Sequence, residues 1–203
     1  MAAHEFKNCT IYLIGFPGVG KLSVAKEICK QADFRMIDSH AINKLVFPLV
    51  RRDGKSVLPP EIWTVTRKIR QIVLETMVEL GDREFNLVFT NVLLEGEEKD
   101  LNAYKQLESA VDSRGGCLIP VRLLCDQTEH LDRIIRPERE IDWKLTDGSR
   151  VALYHEQKEP FKPPHPHAMT IDVTNLSAAQ AAEQILEFAA AKFVEWSLAR
   201  SPS

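Results

Sequence analysis

GFPGVGKLS, residues 15–23, stands between the apolar run CTIYLI (residues 9–14) and VAKEICKQA (residues 24–32), whose apolar positions recur at helical spacing. A loop that cradles phosphate needs glycines, because backbone N–H groups must converge on oxygen atoms at angles that side chains obstruct. It also needs a helix start, where free N–H groups and the helix dipole favour anions, and an ammonium group for the outer phosphates. Gly15, Gly18 and Gly20 supply the turn, Lys21 supplies the charge, and the preceding apolar run supplies a rigid approach. The context of strand, loop and helix agrees with the letters. The competing readings are an ordinary glycine-rich turn and a degenerate loop that binds nothing.

Working outward, four more short apolar runs read as strands: FRMID (34–38), FNLVFTNV (85–92), CLIPVRLLC (117–125) and HAMTIDV (167–173). Long amphipathic stretches separate them, an alternation that predicts a parallel sheet covered by helices on both faces. A helix is predicted from Pro60, its apolar face being Ile62, Val65, Ile69, Ile72, Val73, Met77 and Leu80. Asp126 with Glu129, and Ser177 with Gln180, have the spacing of helix-capping boxes. The final helix places Ala178, Ala182, Ile185, Ala189 and Trp196 on one face.

With 203 residues, 44% hydrophobic and 27% charged, the chain is expected to form a single domain, residues 1–203, with one core. No apolar run approaches the roughly 18 residues that cross a bilayer, and the N-terminus resembles no secretion signal, so a cytoplasmic protein with no membrane partner is expected. The net charge of -3 lacks the basic surplus of a broad nucleic-acid surface, so any anionic ligand must be held locally. Cys9, Cys29, Cys117 and Cys125 lack CxxC spacing and read as small hydrophobes. His155, His165 and His167 flank a proline-rich connector without the spacing of a metal site.

A guanine-reading NKxD segment is absent, and the run 85–92 carries Thr90 and Asn91 where a motor ATPase presents paired acidic residues. Asp38 ends the second run, at the strand end where open α/β sheets bind ligands; its competing role is a cap for the helix that follows. His40 is the weaker neighbour. Trp63, Arg67 and Arg70 share one side of the helix after Pro60, and forked guanidinium groups suit an anionic acceptor; a solvated arginine face is the alternative. Arg51 and Arg52 are further candidates. Downstream, Arg133, Arg136 and Arg139 follow the capping box, and Pro137 disfavours helical geometry at Arg136.

The loop departs from GxxxxGK[ST] in one place: Leu22 follows the lysine, and the hydroxyl comes one position later, at Ser23. In this it resembles the GxPGxGKxT loops of the adenylate kinase and shikimate kinase branch of P-loop phosphotransferases, an AAA-type, shikimate kinase-like small P-loop kinase. The resemblance implies a three-layer α/β sandwich with a five-stranded parallel sheet in the order 2-3-1-4-5. It also implies ATP and Mg2+ as cofactors. ATP would be held by Gly15, Pro17, Gly18, Val19, Gly20, Lys21, Leu22 and Ser23, with Arg136, and by residues 172–177 around the adenine. Ser23 would serve the inner phosphate, with magnesium held mainly through water and substrate oxygens.

By the same resemblance Lys21, Asp38, Arg133 and Arg139 are catalytic, and Asp38, Trp63, Arg67 and Arg70 meet a small-molecule acceptor. Residues 133–150 form a lid, with Lys144 a further candidate within it, and the protein acts as a monomer or homodimer. The implied activity is transfer of the γ-phosphoryl group of ATP to an acceptor hydroxyl. An ATP-binding switch or scaffold and a simple nucleoside triphosphatase are the alternatives. Shikimate itself is disfavoured, since Asp38-Ser39-His40 stands where a second Asp is expected; sugars, nucleosides, antibiotics and small acids stay open.

Overall fold

The computed structural model describes residues 5–50, 58–136 and 144–200. Five strands, β1 (Cys9–Ile14), β2 (Phe34–Asp38), β3 (Asn86–Asn91), β4 (Cys117–Leu124) and β5 (Met169–Asp172), form one sheet in the order β2-β3-β1-β4-β5. Every pairing is parallel. The described helices are α1 (Lys21–Gln31), α2 (Ser39–Val50), α3 (Glu61–Glu79), α4 (Glu98–Ser113), α5 (Gln127–Ile134), α6 (Ser149–Gln157) and α7 (Ala178–Arg200). The expected three-layer α/β sandwich and strand order are therefore both present.

Parallel strands covered on both sides read as unbroken apolar runs. The two innermost neighbours, β1 and β3, are buried along their whole length, whereas the edge strands β2 and β5 are not. The pleat then sends alternate residues of β1 to opposite layers. Ile11 and Leu13 pack with Val24, Ile28 and Ile185 of α1 and α7. Tyr12 and Ile14 face the other way, toward Leu74, Met77, Tyr104 and Leu107 of α3 and α4.

The buried face of α3 is not the predicted stripe. Ile62 and Met77 are buried as expected, joined by Thr66 and Leu74, but Val65, Ile72 and Leu80 are 45%, 59% and 81% exposed. Thr66 enters the interior because its hydroxyl donates to Trp63 O at 3.1 Å, which removes the cost of burying it. Both capping boxes form in part or whole. The Glu129 N–H donates to Asp126 Oδ1, but the Glu129 side chain turns to Arg133; at Ser177 and Gln180 both reciprocal bonds are made. The helix α5 ends at Ile134, before Pro137.

Asn86 ties three segments at the start of the sheet. Its Oδ1 accepts from Cys9 N at 3.0 Å, while Nδ2 donates to Phe6 O at 3.0 Å and Asp33 O at 3.1 Å. Asn86→Ala leaves these main-chain groups without their partner, an expected loss of roughly 3 kcal/mol. Thermal denaturation should show a midpoint lowered by roughly 6 to 12 °C in a chain of this size. A shift below about 2 °C would mean that water replaces the amide.

Among the described residues no helix is long and apolar enough to cross a membrane. The four cysteines are free, with Cys9 and Cys117 buried. Arg51, Arg52, Pro137 and Arg139 lie outside the described residues.

Candidate active site

The glycine loop joins β1 to α1, and its backbone conformation explains its composition. Gly18 and Gly20 have φ of 98° and 112°, a region costly for any residue with a Cβ. Gly20 is also the N-cap of α1, so this helix has no side-chain cap, and no acidic residue stands in its first turn. By contrast α5 and α7 start on Asp126 and Ser177, whose side chains occupy their first N–H groups. The first N–H groups of α1 are thus not taken by a side-chain cap.

Lys21 Nζ lies over the loop, donating to Gly15 O at 2.9 Å and Phe16 O at 2.8 Å. Val19 offers less than expected in this geometry. Its N–H turns to Phe16 O at 3.3 Å, its carbonyl accepts from Arg133, and its side chain is buried. Leu22 is half-buried at the cavity wall, and the hydroxyl of the exposed Ser23 makes no hydrogen bond among the described residues.

The loop opens on a cavity of about 1130 Å³ that brings together most of the expected residues. Asp38 reaches it from the end of β2. One of its oxygens, Oδ1, accepts from Thr90 Oγ1 at 2.7 Å and from His40 N at 3.1 Å, which leaves Oδ2 without a hydrogen bond among the described residues. Asp38 therefore caps the turn into α2 and lines the cavity at once. Trp63, Arg67 and Arg70 line the same cavity from α3. Trp63, 42% exposed, meets Phe47 edge-to-face at 5.7 Å, and Phe47 meets His40 at 6.2 Å. Arg67 is held by Thr64 Oγ1 at 2.8 Å, whereas Arg70 makes no hydrogen bond or ion pair among the described residues.

Arg133 lies in the last turn of α5, with its guanidinium turned to backbone carbonyls. Its Nη1 donates to Val19 O at 2.7 Å, Nη2 to Val173 O at 2.8 Å, and Nε to Glu129 Oε1 at 2.7 Å. The fork is spent on bracing the glycine loop against the end of β5. Arg136 and Lys144 both reach the cavity edge, one from each side of residues 137–143. Val173, Leu176 and Ser177, inside the segment expected around adenine, line its far end.

Sequence reasoning missed several lining groups. Asp100 and Lys99, in the first turn of α4, line the cavity together with Arg70. Burial pushes the Asp100 carboxyl up, opposed first by the Leu94 N–H that donates to it at 2.8 Å. Behind Asn91, the buried Tyr12 hydroxyl accepts from Asn91 Nδ2 at 2.8 Å, and burial pushes its pKa up to about 12, so it stays protonated. Nothing in the residues near Asp100 distinguished it from an ordinary charge at a helix start. Among the described residues no cluster of three or more His, Cys, Asp or Glu has metal-site geometry.

No family model matches the sequence, and no curated protein matches it. Solved structures do resemble the fold. A gluconokinase from Sinorhizobium meliloti 1021 aligns over 96% of this chain and 98% of its own, with 16% identity and a TM-score of 0.59. An unliganded sugar kinase from Janibacter sp. HTCC2649 covers 90% of this chain and 96% of its own at 14% identity, TM-score 0.56. The Mycobacterium tuberculosis APS kinase in complex with AMPPNP and APS covers 90% and 97% at 13% identity, TM-score 0.54. At such identities the likeness is one of fold, and the fold is that of the small P-loop kinases.

Proposed function

We propose that this protein is an ATP-dependent phosphotransferase that moves the γ-phosphoryl group of ATP to a hydroxyl of a small acceptor. The observation that carries this reading is the continuity of one cavity. It runs from the glycine loop and Lys21, past Asp38, to Arg67 and Arg70. A site that only held nucleotide would not need the cavity to continue past Asp38 to two arginines.

In this scheme Lys21 exchanges Gly15 O and Phe16 O for the β- and γ-phosphate oxygens, and the free N–H groups at the start of α1 hold the inner phosphate. Ser23, with its hydroxyl unengaged, fits a magnesium shell completed by water and substrate oxygens. Bound magnesium neutralises phosphate charge. Asp38 uses Oδ2, the oxygen not spent on Thr90 and His40, to orient the acceptor hydroxyl or take its proton. The bond from Pγ to the bridging oxygen breaks, a bond from Pγ to the acceptor oxygen forms, and ADP leaves.

Trp63, Arg67 and Arg70 hold the acceptor, and Arg136, which lines the cavity, serves the phosphates of the nucleotide. Arg133 serves as a brace, and it reaches the phosphoryl group only by releasing Val19 O.

Incubation of the protein with γ-labelled ATP, Mg2+ and a metabolite pool tests the proposal. A newly phosphorylated small molecule is the expected result. Release of inorganic phosphate alone would make the protein a triphosphatase, and retained, intact ATP would make it a nucleotide-binding switch.

A further inference from the structure

Outside the groups assigned above, two imidazoles form a chain with the glycine loop. His130 lies on α5 with 0% exposure, yet both ring nitrogens are engaged: Nε2 meets Pro17 O at 2.7 Å and Nδ1 meets His155 Nε2 at 2.9 Å. A carbonyl oxygen only accepts, so His130 Nε2 carries the proton. In the neutral ring Nδ1 then accepts, and His155 Nε2 must be the donor to it. The chain therefore has one direction, from His155 on α6 through His130 on α5 to the loop. Burial, which lowers the His155 pKa, favours the neutral ring this chain requires.

The packing around these bonds leaves the loop little freedom. Phe16 stacks on His130 with ring centroids 5.9 Å apart and an interplanar angle of 2°, and it is enclosed by Tyr154 at 5.1 Å and His155 at 5.5 Å. A Cβ added to Gly18 would come within 3.3 Å of His130 Nε2, so the loop backbone passes directly over the imidazole. The peptide between Pro17 and Gly18 is trans, and the N–H of a trans plane points opposite to its carbonyl. With the Pro17 carbonyl tied to His130, the Gly18 N–H is turned to the other side.

We propose that His130 is a positioning residue for the phosphate-binding loop: it fixes the Pro17–Gly18 peptide plane through its Nε2–H, and His155 holds it in the tautomer that does so. The inference rests on the triphosphate reading of the cavity. It adds that nucleotide affinity is set partly from behind the loop, by α5 and α6.

The test compares His130→Phe, which keeps a buried ring but has no donor, with His130→Gln. The glutamine amide can donate to Pro17 O and accept from His155. Two quantities are read: the MgATP dissociation constant by calorimetry, and amide hydrogen exchange of residues 16–20 in the ligand-free protein. H130F is expected to weaken MgATP binding about tenfold and to speed exchange of the loop amides, the scale of losing one buried hydrogen bond. H130Q is expected to stay within about threefold of the parent in both.

Equal affinity and exchange in H130F and parent would overturn the proposal, as would an H130Q as impaired as H130F, since packing rather than the donor would then matter. If H130F does not fold, His155→Ala carries the test from α6. Faster loop exchange supports the proposal, and unchanged exchange overturns it. The two readings fail differently. No MgATP binding by the parent protein, with loop exchange still responding to H130F, removes the nucleotide site but keeps the brace; normal binding with an unresponsive loop removes only the brace.

Discussion

Lys21→Met is expected to weaken MgATP binding by about 100-fold or more while leaving the fold intact, the magnitude of losing charge-assisted contacts to phosphate. The direction follows from where the ammonium lies. It sits over the loop, held by two carbonyls, at the uncapped start of α1. Methionine preserves the length and apolar stem of the side chain and removes only the charge and its donors. The cost to stability is small, about 1 kcal/mol, the usual net worth of such hydrogen bonds. Calorimetric titration with MgATP, paired with a thermal melt to show that folding is intact, measures both quantities. Unchanged affinity would refute the assignment of the loop.

Asp38→Asn is expected to lower phosphoryl transfer by about 10² to 10⁴-fold, the range for losing a general base, with MgATP affinity changed less than about threefold. This substitution separates the two roles that Asp38 holds. As a cap it uses Oδ1 to accept from His40 N and Thr90 Oγ1, and an asparagine carbonyl can accept both. As a base or metal-shell group it needs the negative charge that asparagine lacks. Transfer in the labelled-ATP assay is the readout. If D38N transfers phosphate at the parent rate, Asp38 is a cap and nothing more.

How far the sequence could be read depended on how local each determinant is. The glycine loop is a local device, so residues 15–23 revealed it through glycines and a lysine at fixed spacing. The strands were legible because a sheet covered on both faces demands unbroken apolar runs. The face of α3 was less legible. Thr66 goes inward and Val65 and Ile72 outward, and the threonine hydroxyl is satisfied within its own helix by Trp63 O.

Arginines were located but not aimed. Arg133 looked like a lid residue by position, and its fork instead closes on Val19 O and Val173 O, acceptors far away in the chain. His130 carried one available signal, its place one turn before Ile134 on the buried face of an amphipathic helix, but a single histidine at helical spacing most often satisfies a local bond.

By itself the sequence determined the elements and their kind: a glycine-rich loop between an apolar strand and a helix, in an alternating α/β chain. Those properties depend on neighbours a few residues away, through backbone conformation and hydrophobic periodicity. Only the tertiary structure decided which distant side chains share the cavity and which are spent on structure. It set Asp38 and Arg70 on the cavity that the loop opens, bonded Arg133 to Val19 O and placed His130 against Pro17. The reason is that a side chain's partners across the fold depend on how layers pack, and residue spacing along one element carries no record of what the opposite layer presents.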